Sequence, residues 1–367
     1  MPEGRPLRVL VAGGGTGGHL YPGIAIADEI RTASGGEAVF VGTARGLETR
    51  LVPAAGFPLE LVTVSGLKRM GLRGVVRGLM RLPAAFLESA RILRRHRPDV
   101  VLGVGGYASG PLVFTAALLG YPTAIQEQNS LPGFTNRVLG RLAKRVFVAF
   151  DDAAARFAHR KVRLLGNPVR RSFLDRAIAA APTDEGRAIV ILGGSQGSRA
   201  VNELASGMVR VLDARGRLPP IIHQTGADQF DEMQVNYAAL GYADRVDVRA
   251  FIDDMPAVLS QAAVCVARAG ALTLAELAIM RRPAILIPLP TAADDHQTLN
   301  ALEFERAGAA IVLPQADASA TRLGDLVDEI LLDPSRRASM AAAMGSLAKA
   351  SATRDIVAEL SAIARPR

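Results

Sequence analysis

Tryptophan is absent from this chain of 367 residues, and aromatic residues make up only 5% of it. So few rings argue against a platform on which bases or sugars stack. Cysteine is nearly absent too. The single thiol, Cys265, lies in the apolar run AAVCVARAG. One cysteine excludes an internal disulfide and fits a reducing compartment; its setting predicts a buried structural residue. No secretory signal is legible, because the apolar run in MPEGRPLRVLVAGGG is short and ends in glycines. Residues 100–126 carry no charge, but Gly105, Gly106, Gly110, Pro111, Gly120 and Pro122 interrupt them. That stretch reads as buried strand, loop and helix, not as a membrane span. Acid is the last scarcity. Residues 61–98 hold nine Lys and Arg against Glu88 alone, an excess equal to the whole net charge of +8. Charge so localised predicts one anionic surface or partner.

What is present points to a globular chain of two domains. Hydrophobic residues make up 49% and charged residues 21%, and the length exceeds one typical core. Short apolar runs alternate with helical stretches: LRVLVAG, AVFVGT, VVLGVGG and PTAIQEQ, then RAIVILGG, IIHQTG, VDVRAFI, AVCVARAG and PAILIPLP. This grammar implies α/β architecture with parallel sheets and helical crossovers. Its repetition predicts two Rossmann-like domains facing a central cleft, residues 1–166 and 167–347, joined where Gly166, Asn167 and Pro168 break the pattern. The Ala-rich tail, 348–367, reads as a helix able to pack on the first domain.

Each glycine loop follows a strand. GGGTGG at 13–18 contains the GxGxxG pattern, but the second strand, AVFVGT, offers no acid for a ribose, which argues against a dinucleotide. No Gly-Lys-Ser/Thr follows, so it is not a Walker loop either. Backbone amides freed by glycine, backed by a helix N-terminus, suit phosphate. GVGGY at 103–107 and GGSQG at 193–197 offer the same chemistry. Three such loops predict more than one phosphate group.

GGGTGGHLYPGIAIA, GVGGYASGP, QEQNSLPGFTNR, GNPVR, GGSQGS, FIDDM, RAGALTLAEL and DDHQTLNA, in that order, resemble the motif series of the MurG family. These bacterial transferases move N-acetylglucosamine (GlcNAc) from UDP-GlcNAc to a lipid-linked muramyl-pentapeptide. The resemblance implies the GT-B fold, an inverting N-acetylglucosaminyltransferase, and lipid I to lipid II chemistry in peptidoglycan synthesis. It implies roles as well. Ala271, Leu272 and Thr273, followed by Leu274 and Ala275, form the helix start facing the UDP diphosphate. Glu276 accepts the ribose hydroxyls, and the backbone of Ile252 reads uracil. Ser195 and Arg170 contact phosphate. Gln297 contacts the sugar; this chain has His296-Gln297 where some members carry two glutamines, so either residue can serve. Thr16, Gly17, Gly18 and Asn129 meet the transferred sugar. Gly14, Gly15, Gly105, Gly106 and Tyr107 meet the acceptor pyrophosphate.

His19 stands at a helix start, where positive potential keeps an imidazole neutral and able to accept a proton. It is the candidate general base, with Glu127 as the second candidate. Asp253 and Asp254 read as an N-cap pair for a helix at Met255 and Pro256 rather than as a metal site. Asp294, Asp295 and His296 form a metal-like cluster with no second cluster at ligand spacing, so neither metal nor cofactor is expected. Arg69, Arg73, Arg77 and Arg81 make a stripe of four-residue spacing beside Val76, Leu79 and Met80. That pattern suits a helix lying on an anionic membrane. Arg73, Val76, Arg77, Leu79 and Met80 are its expected contacts, at the cytoplasmic face of the inner membrane, with cell-wall synthesis proteins as further partners. Two other readings compete: the same fold acting on another lipid acceptor, and a non-catalytic membrane or nucleic-acid binder using the basic segment alone. The paired phosphate loops and Glu276 argue against a pure binder, and no nucleic-acid partner is expected.

Overall fold

The computed structural model describes residues 6–44, 46–64, 72–179, 188–194 and 196–365, and of 72–81 only the helical backbone. The chain forms two compact units. Unit 1 comprises Met1–Arg170 and Ala350–Arg367; unit 2 is Arg171–Lys349.

Unit 1 is built on strands β1 (Arg8–Gly13), β2 (Glu37–Gly42), β3 (Leu59–Leu61), β4 (Val100–Gly105), β5 (Thr123–Glu127), β6 (Arg145–Val148) and β7 (Val162–Leu164). They pair in the order β3-β2-β1-β4-β5-β6-β7, every pair parallel. Unit 2 repeats the plan with β8 (Ala188–Leu192), β9 (Ile221–Gln224), β10 (Val246–Arg249), β11 (Ala262–Ala267), β12 (Ala284–Leu286) and β13 (Ala310–Val312), ordered β10-β9-β8-β11-β12-β13 and again all parallel. Strands β4, β5, β8 and β11 are buried along their whole length, as expected where helices cover both faces of a parallel sheet. The uncharged stretch 100–126 resolves into β4, the helix Ser109–Leu118 and most of β5. No described helix is long and apolar enough to cross a membrane.

In both sheets the order reverses beside the first strand, between β1 and β4 and between β8 and β11. Such reversals splay the connections apart and leave a crevice at the carboxyl ends of the strands. The glycine loops emerge at those ends.

One face of the first sheet is sealed by the helices Gly17–Ser34 and Ala352–Ile363, through Leu20, Ile26, Ile30, Ile356, Val357 and Leu360. Glu359 fastens the second of these to the sheet edge: Arg145 Nε on β6 lies 2.8 Å away and Arg163 Nε on β7 lies 3.1 Å away. The opposite face is covered by the helices Leu72–His96 and Ser109–Leu118, through Ile92, Leu93, Leu112 and Val113. Cys265 lies fully buried in β11, and burial pushes its thiol up to about 12; such a thiol is inert.

Candidate functional site

The first two glycine loops meet at the reversal point of unit 1. The pairing of β1 with β4 steps from Ala12–Gly103 to Gly13–Gly105, passing over Val104. The strand tips then approach so closely that side chains are excluded. A Cβ on Gly106 would collide with the backbone of Gly14, and one on Gly13 with the Val104 side chain. Gly105 (φ 100°) and Gly106 (φ 80°) also adopt a backbone that favours glycine. Ser109 ties the two tips together: its Oγ accepts from the Gly105 amide at 3.1 Å and reaches the Ala12 carbonyl at 2.6 Å.

Thr16 caps the helix Gly17–Ser34 with extended backbone but without a side-chain bond, and no acid stands in the first turn. Its N-terminal amides are thus arranged for an external acceptor. Gly15, Thr16 and Gly18 are exposed, while His19 is half-buried. The imidazole lies against Gly105, where a Cβ would stand 2.6 Å from Nδ1. Nδ1 is 3.2 Å from Gln128 Oε1. Tyr107, half-exposed, follows the second loop. Arg170 stacks its guanidinium 4.8 Å from the ring centre of Tyr21.

The second candidate base is held differently. Glu127 is buried and accepts from the amides of Asn129 (3.0 Å) and Gly133 (3.1 Å) and from Asn136 Nδ2 (2.8 Å). Its carboxylate shapes the turn that carries Asn129.

Glu48 was not legible as a site residue. Its carboxylate is fully buried and accepts from the Gly15 amide (2.8 Å), the Thr43 amide (2.8 Å) and Thr43 Oγ1 (2.7 Å). Burial raises its pKa, but these bonds outweigh burial and hold it below the ordinary 4.5. An acid therefore does reach the end of β2, with both oxygens engaged by the protein's own donors. Gly14, Gly42 and Gly46 leave it room.

Unit 2 has a close approach of its own, between the loops that follow β8 and β9 and not at its reversal. A Cβ on Gly197 would collide with the Thr225 carbonyl, and one on Gly226 would stand 2.6 Å from the Cα of Gly197. Ser195 lies outside the described residues. The helix Ala271–Met280 begins after Gly270 with neither a side-chain cap nor an acid in its first turn. It carries Ala271, Leu272, Thr273, Leu274, Ala275 and Glu276, of which Leu272, Thr273, Ala275 and Glu276 are half-buried. Ile252 is buried and donates its amide to Gln224 Oε1 at 3.2 Å. Gln297 Oε1 accepts from the Leu289 amide at 3.0 Å, and His296 Nδ1 lies 2.7 Å from the Ala293 carbonyl. Asp254 is the expected cap, accepting from Ala257 at 3.1 Å. Asp295 accepts from Thr298 Oγ1 at 2.7 Å. Among the described residues no group of three or more His, Cys, Asp or Glu is arranged to hold a metal ion.

Arg268 was also missed. Its buried guanidinium is held by neutral groups: Ser198 Oγ, the carbonyls of Ile287 and Pro288, and Gln315 Oε1 at 2.7 Å. Burial lowers its pKa, yet an arginine stays charged. It sets a cation beside the third glycine loop, with no carboxylate of the described residues among its contacts.

Arg73, Val76, Arg77, Leu79 and Met80, expected from the sequence to meet a membrane, fall on the helix Leu72–His96, but their side chains lie outside the described residues.

The N-terminal domain of glycosyltransferase family 28 matches residues 9–148, and its C-terminal domain matches residues 188–360. A protein of Anaeromyxobacter dehalogenans (strain 2CP-1), named UDP-N-acetylglucosamine--N-acetylmuramyl-(pentapeptide) pyrophosphoryl-undecaprenol N-acetylglucosamine transferase, is 49% identical over 352 residues, covering 95% of this chain and 91% of that protein. A protein of the same name from Myxococcus xanthus (strain DK1622) is 47% identical over 354 residues, with the same coverage. The crystal structure of Acinetobacter baumannii MurG superposes with a TM-score of 0.76 at 31% identity, covering 97% of this chain and all of that one.

Proposed function

This chain belongs to the MurG transferases of glycosyltransferase family 28, and from that premise we propose how its GT-B fold divides the reaction. The enzyme transfers GlcNAc from UDP-GlcNAc to lipid I, giving lipid II for peptidoglycan.

The donor belongs to unit 2. The N-terminus of the helix Ala271–Met280, with the amides of Ala271 and Leu272 and the hydroxyl of Thr273, holds the UDP diphosphate. Its partial positive charge, together with Arg268, stabilises UDP as it leaves, so the chemistry calls for no metal. Ser195 adds a phosphate contact there, while Arg170 lies at the end of unit 1, stacked on Tyr21. Glu276 takes the ribose hydroxyls and Ile252 reads uracil. The Ile252 amide already serves Gln224, so its carbonyl is the reading group unless Gln224 yields. Gln297, with His296 beside it, meets the sugar.

The acceptor belongs to unit 1. Gly14, Gly15, Gly105, Gly106 and Tyr107 form the pyrophosphate seat. Gly15 contributes space there, because its amide is bound to Glu48. Thr16, Gly17, Gly18 and Asn129 meet the transferred sugar. His19 takes the proton of the acceptor hydroxyl as that oxygen attacks the anomeric carbon. Glu127 suits this task less, since both its oxygens are engaged. Attack opposite UDP inverts the anomeric centre. The protein works as a peripheral protein at the cytoplasmic face of the inner membrane, with Arg73, Val76, Arg77, Leu79 and Met80 toward anionic lipid. The polyprenyl chain of its acceptor requires that position.

The observation that carries this reading is that in each unit a helix start left uncapped follows a strand bordering the sheet reversal, β1 in unit 1 and β11 in unit 2, with crowded glycines in the neighbouring loops. The test is transfer of labelled GlcNAc to a short-chain lipid I with chelator present. Label in the lipid with release of UDP is expected. Donor binding without transfer would overturn the acceptor assignment, and transfer blocked by chelator would overturn metal independence. Near-normal turnover of a folded His19→Ala enzyme at saturating acceptor would remove His19 from catalysis.

A further inference from the structure

The side chains behind His19 have orientations that the backbone fixes. Gln128 Nε2 lies 2.8 Å from the Val104 carbonyl, and a carbonyl only accepts. The amide nitrogen of Gln128 therefore points at Val104, and its oxygen points at His19 Nδ1, 3.2 Å away. A second carbonyl fixes the far end. Asn167 Nδ2 donates to the backbone oxygen of Gln128 at 3.0 Å, so Asn167 Oδ1 accepts from Gln126 Nε2 at 2.9 Å. Gln126 then turns Oε1 toward Gln128 Nε2. This is the orientation that Val104 demands independently. The three amides are buried, at 5% exposure or less. Amide flips are ordinarily assigned from such networks, and here both ends are anchored on groups that cannot flip.

We propose that this directional amide relay, Asn167 to Gln126 to Gln128, sets the tautomer of His19. Gln128 Oε1 is an acceptor, so the imidazole carries its proton on Nδ1, and the neutral ring keeps its lone pair on Nε2. Gln128 is thus a positioning residue for the reaction. Gly105 leaves the ring its room, since a Cβ there would stand 2.6 Å from Nδ1 and 2.8 Å from Cε1 and displace it. An amide in this place differs from a carboxylate. It fixes the tautomer without adding the negative charge that favours the imidazolium. The ring stays neutral at the helix start and acts as a base from Nε2.

The consequence for catalysis rests on the reading of His19 as the base. In that step the acceptor oxygen forms its bond to the anomeric carbon. The bond from that carbon to the UDP oxygen breaks, its electron pair leaves on the β-phosphate, and the hydroxyl proton passes to Nε2.

The tautomer is read directly by two-bond proton–nitrogen correlation on the full-length enzyme labelled with 15N-histidine at neutral pH. The His19 signal is identified by its loss in His19→Gln. A proton on Nδ1 is expected; a proton on Nε2 overturns the proposal. The second measurement uses Gln128→Met, which keeps the volume and removes the acceptor. The kcat should fall roughly 10- to 100-fold, toward the contribution of a general base, with KM for UDP-GlcNAc changed less than about twofold. An unchanged kcat in a folded Gln128→Met enzyme overturns the positioning role. Should that variant fail to fold, the wild-type spectrum decides alone. An Nδ1–H signal alongside near-normal turnover of His19→Gln would keep the relay and refute the base.

Discussion

Replacing Glu48 by Gln turns one of its oxygens into a donor and sets it against an amide that also donates. Whichever way the new amide turns, Gly15 or Thr43 loses its acceptor. The expected cost is about 2 kcal/mol in urea unfolding, with a higher KM for the acceptor and an unchanged KM for UDP-GlcNAc. Because the folded pKa is lowered, the stabilisation from this carboxylate is present above its ordinary value of 4.5 and is lost as pH falls through the lowered value. His223 works in the same direction for a different reason. It is buried between Tyr237 Oη (2.9 Å) and Asn202 Oδ1 (3.0 Å), and burial lowers its pKa from 6.5 to about 3. Between those values the unfolded chain binds a proton that the folded chain refuses. Stability should therefore fall by about 1.4 kcal/mol for each unit that the pH is lowered through this window, from this one residue. Urea midpoints taken from about pH 7 to 4 should show a shallower slope in His223→Gln; an equal slope would assign the loss to other groups.

Helix starts in this chain are of two kinds, capped and uncapped by a side chain. The helices Met255–Ser260, Ala320–Leu331 and Pro334–Ser346 are capped by side chains of Asp254, Ser319 and Asp333. Gly17–Ser34 and Ala271–Met280 are not, and neither are the supporting helices Ser109–Leu118 and Ala352–Ile363; the first two differ in starting directly after a glycine loop. This difference was legible in GGGTGG and RAGALT, as were the strands and their parallel alternation, because period and punctuation are local properties. The order of the strands was not, since nothing within a run names its neighbour. Glu48 reads locally as an ordinary acid in the first turn of a short helix; Gly15, which it serves, is 33 residues away. Gln128 sits inside a recognised motif, yet its partners Val104 and Asn167 come from other strand ends. The glycines were read as phosphate cradles, and several are also required by the contact of one loop with the next. At the sheet edge, Glu359→Gln should weaken the clasp from Arg145 and Arg163. The expected cost is about 1 kcal/mol, modest because the pairs are partly exposed. Faster hydrogen exchange confined to the helix Ala352–Ile363 would report it.

For the molecule as a whole, charge distribution bears on the proposed membrane position. The nine cations of residues 61–98 account for the full net charge of +8. Each basic residue near an anionic bilayer contributes about 1 kcal/mol. Replacing Arg73, Arg77 and Arg81 by Ser should thus weaken binding to anionic vesicles about a hundredfold, with transfer to a detergent-dispersed acceptor retained. Vesicle binding that is unchanged, or insensitive to salt, would place the membrane contact elsewhere. The return of Ala350–Arg367 to unit 1 also has a consequence for biosynthesis. A ribosome releases all of unit 2 before it releases the helix that seals Leu20, Ile26 and Ile30. At about 5–20 residues per second, the first core stays unsealed for roughly 10–40 s while the second is complete. The unit made first is therefore the unit finished last, and through that interval its bare apolar face is what a nascent-chain chaperone would meet.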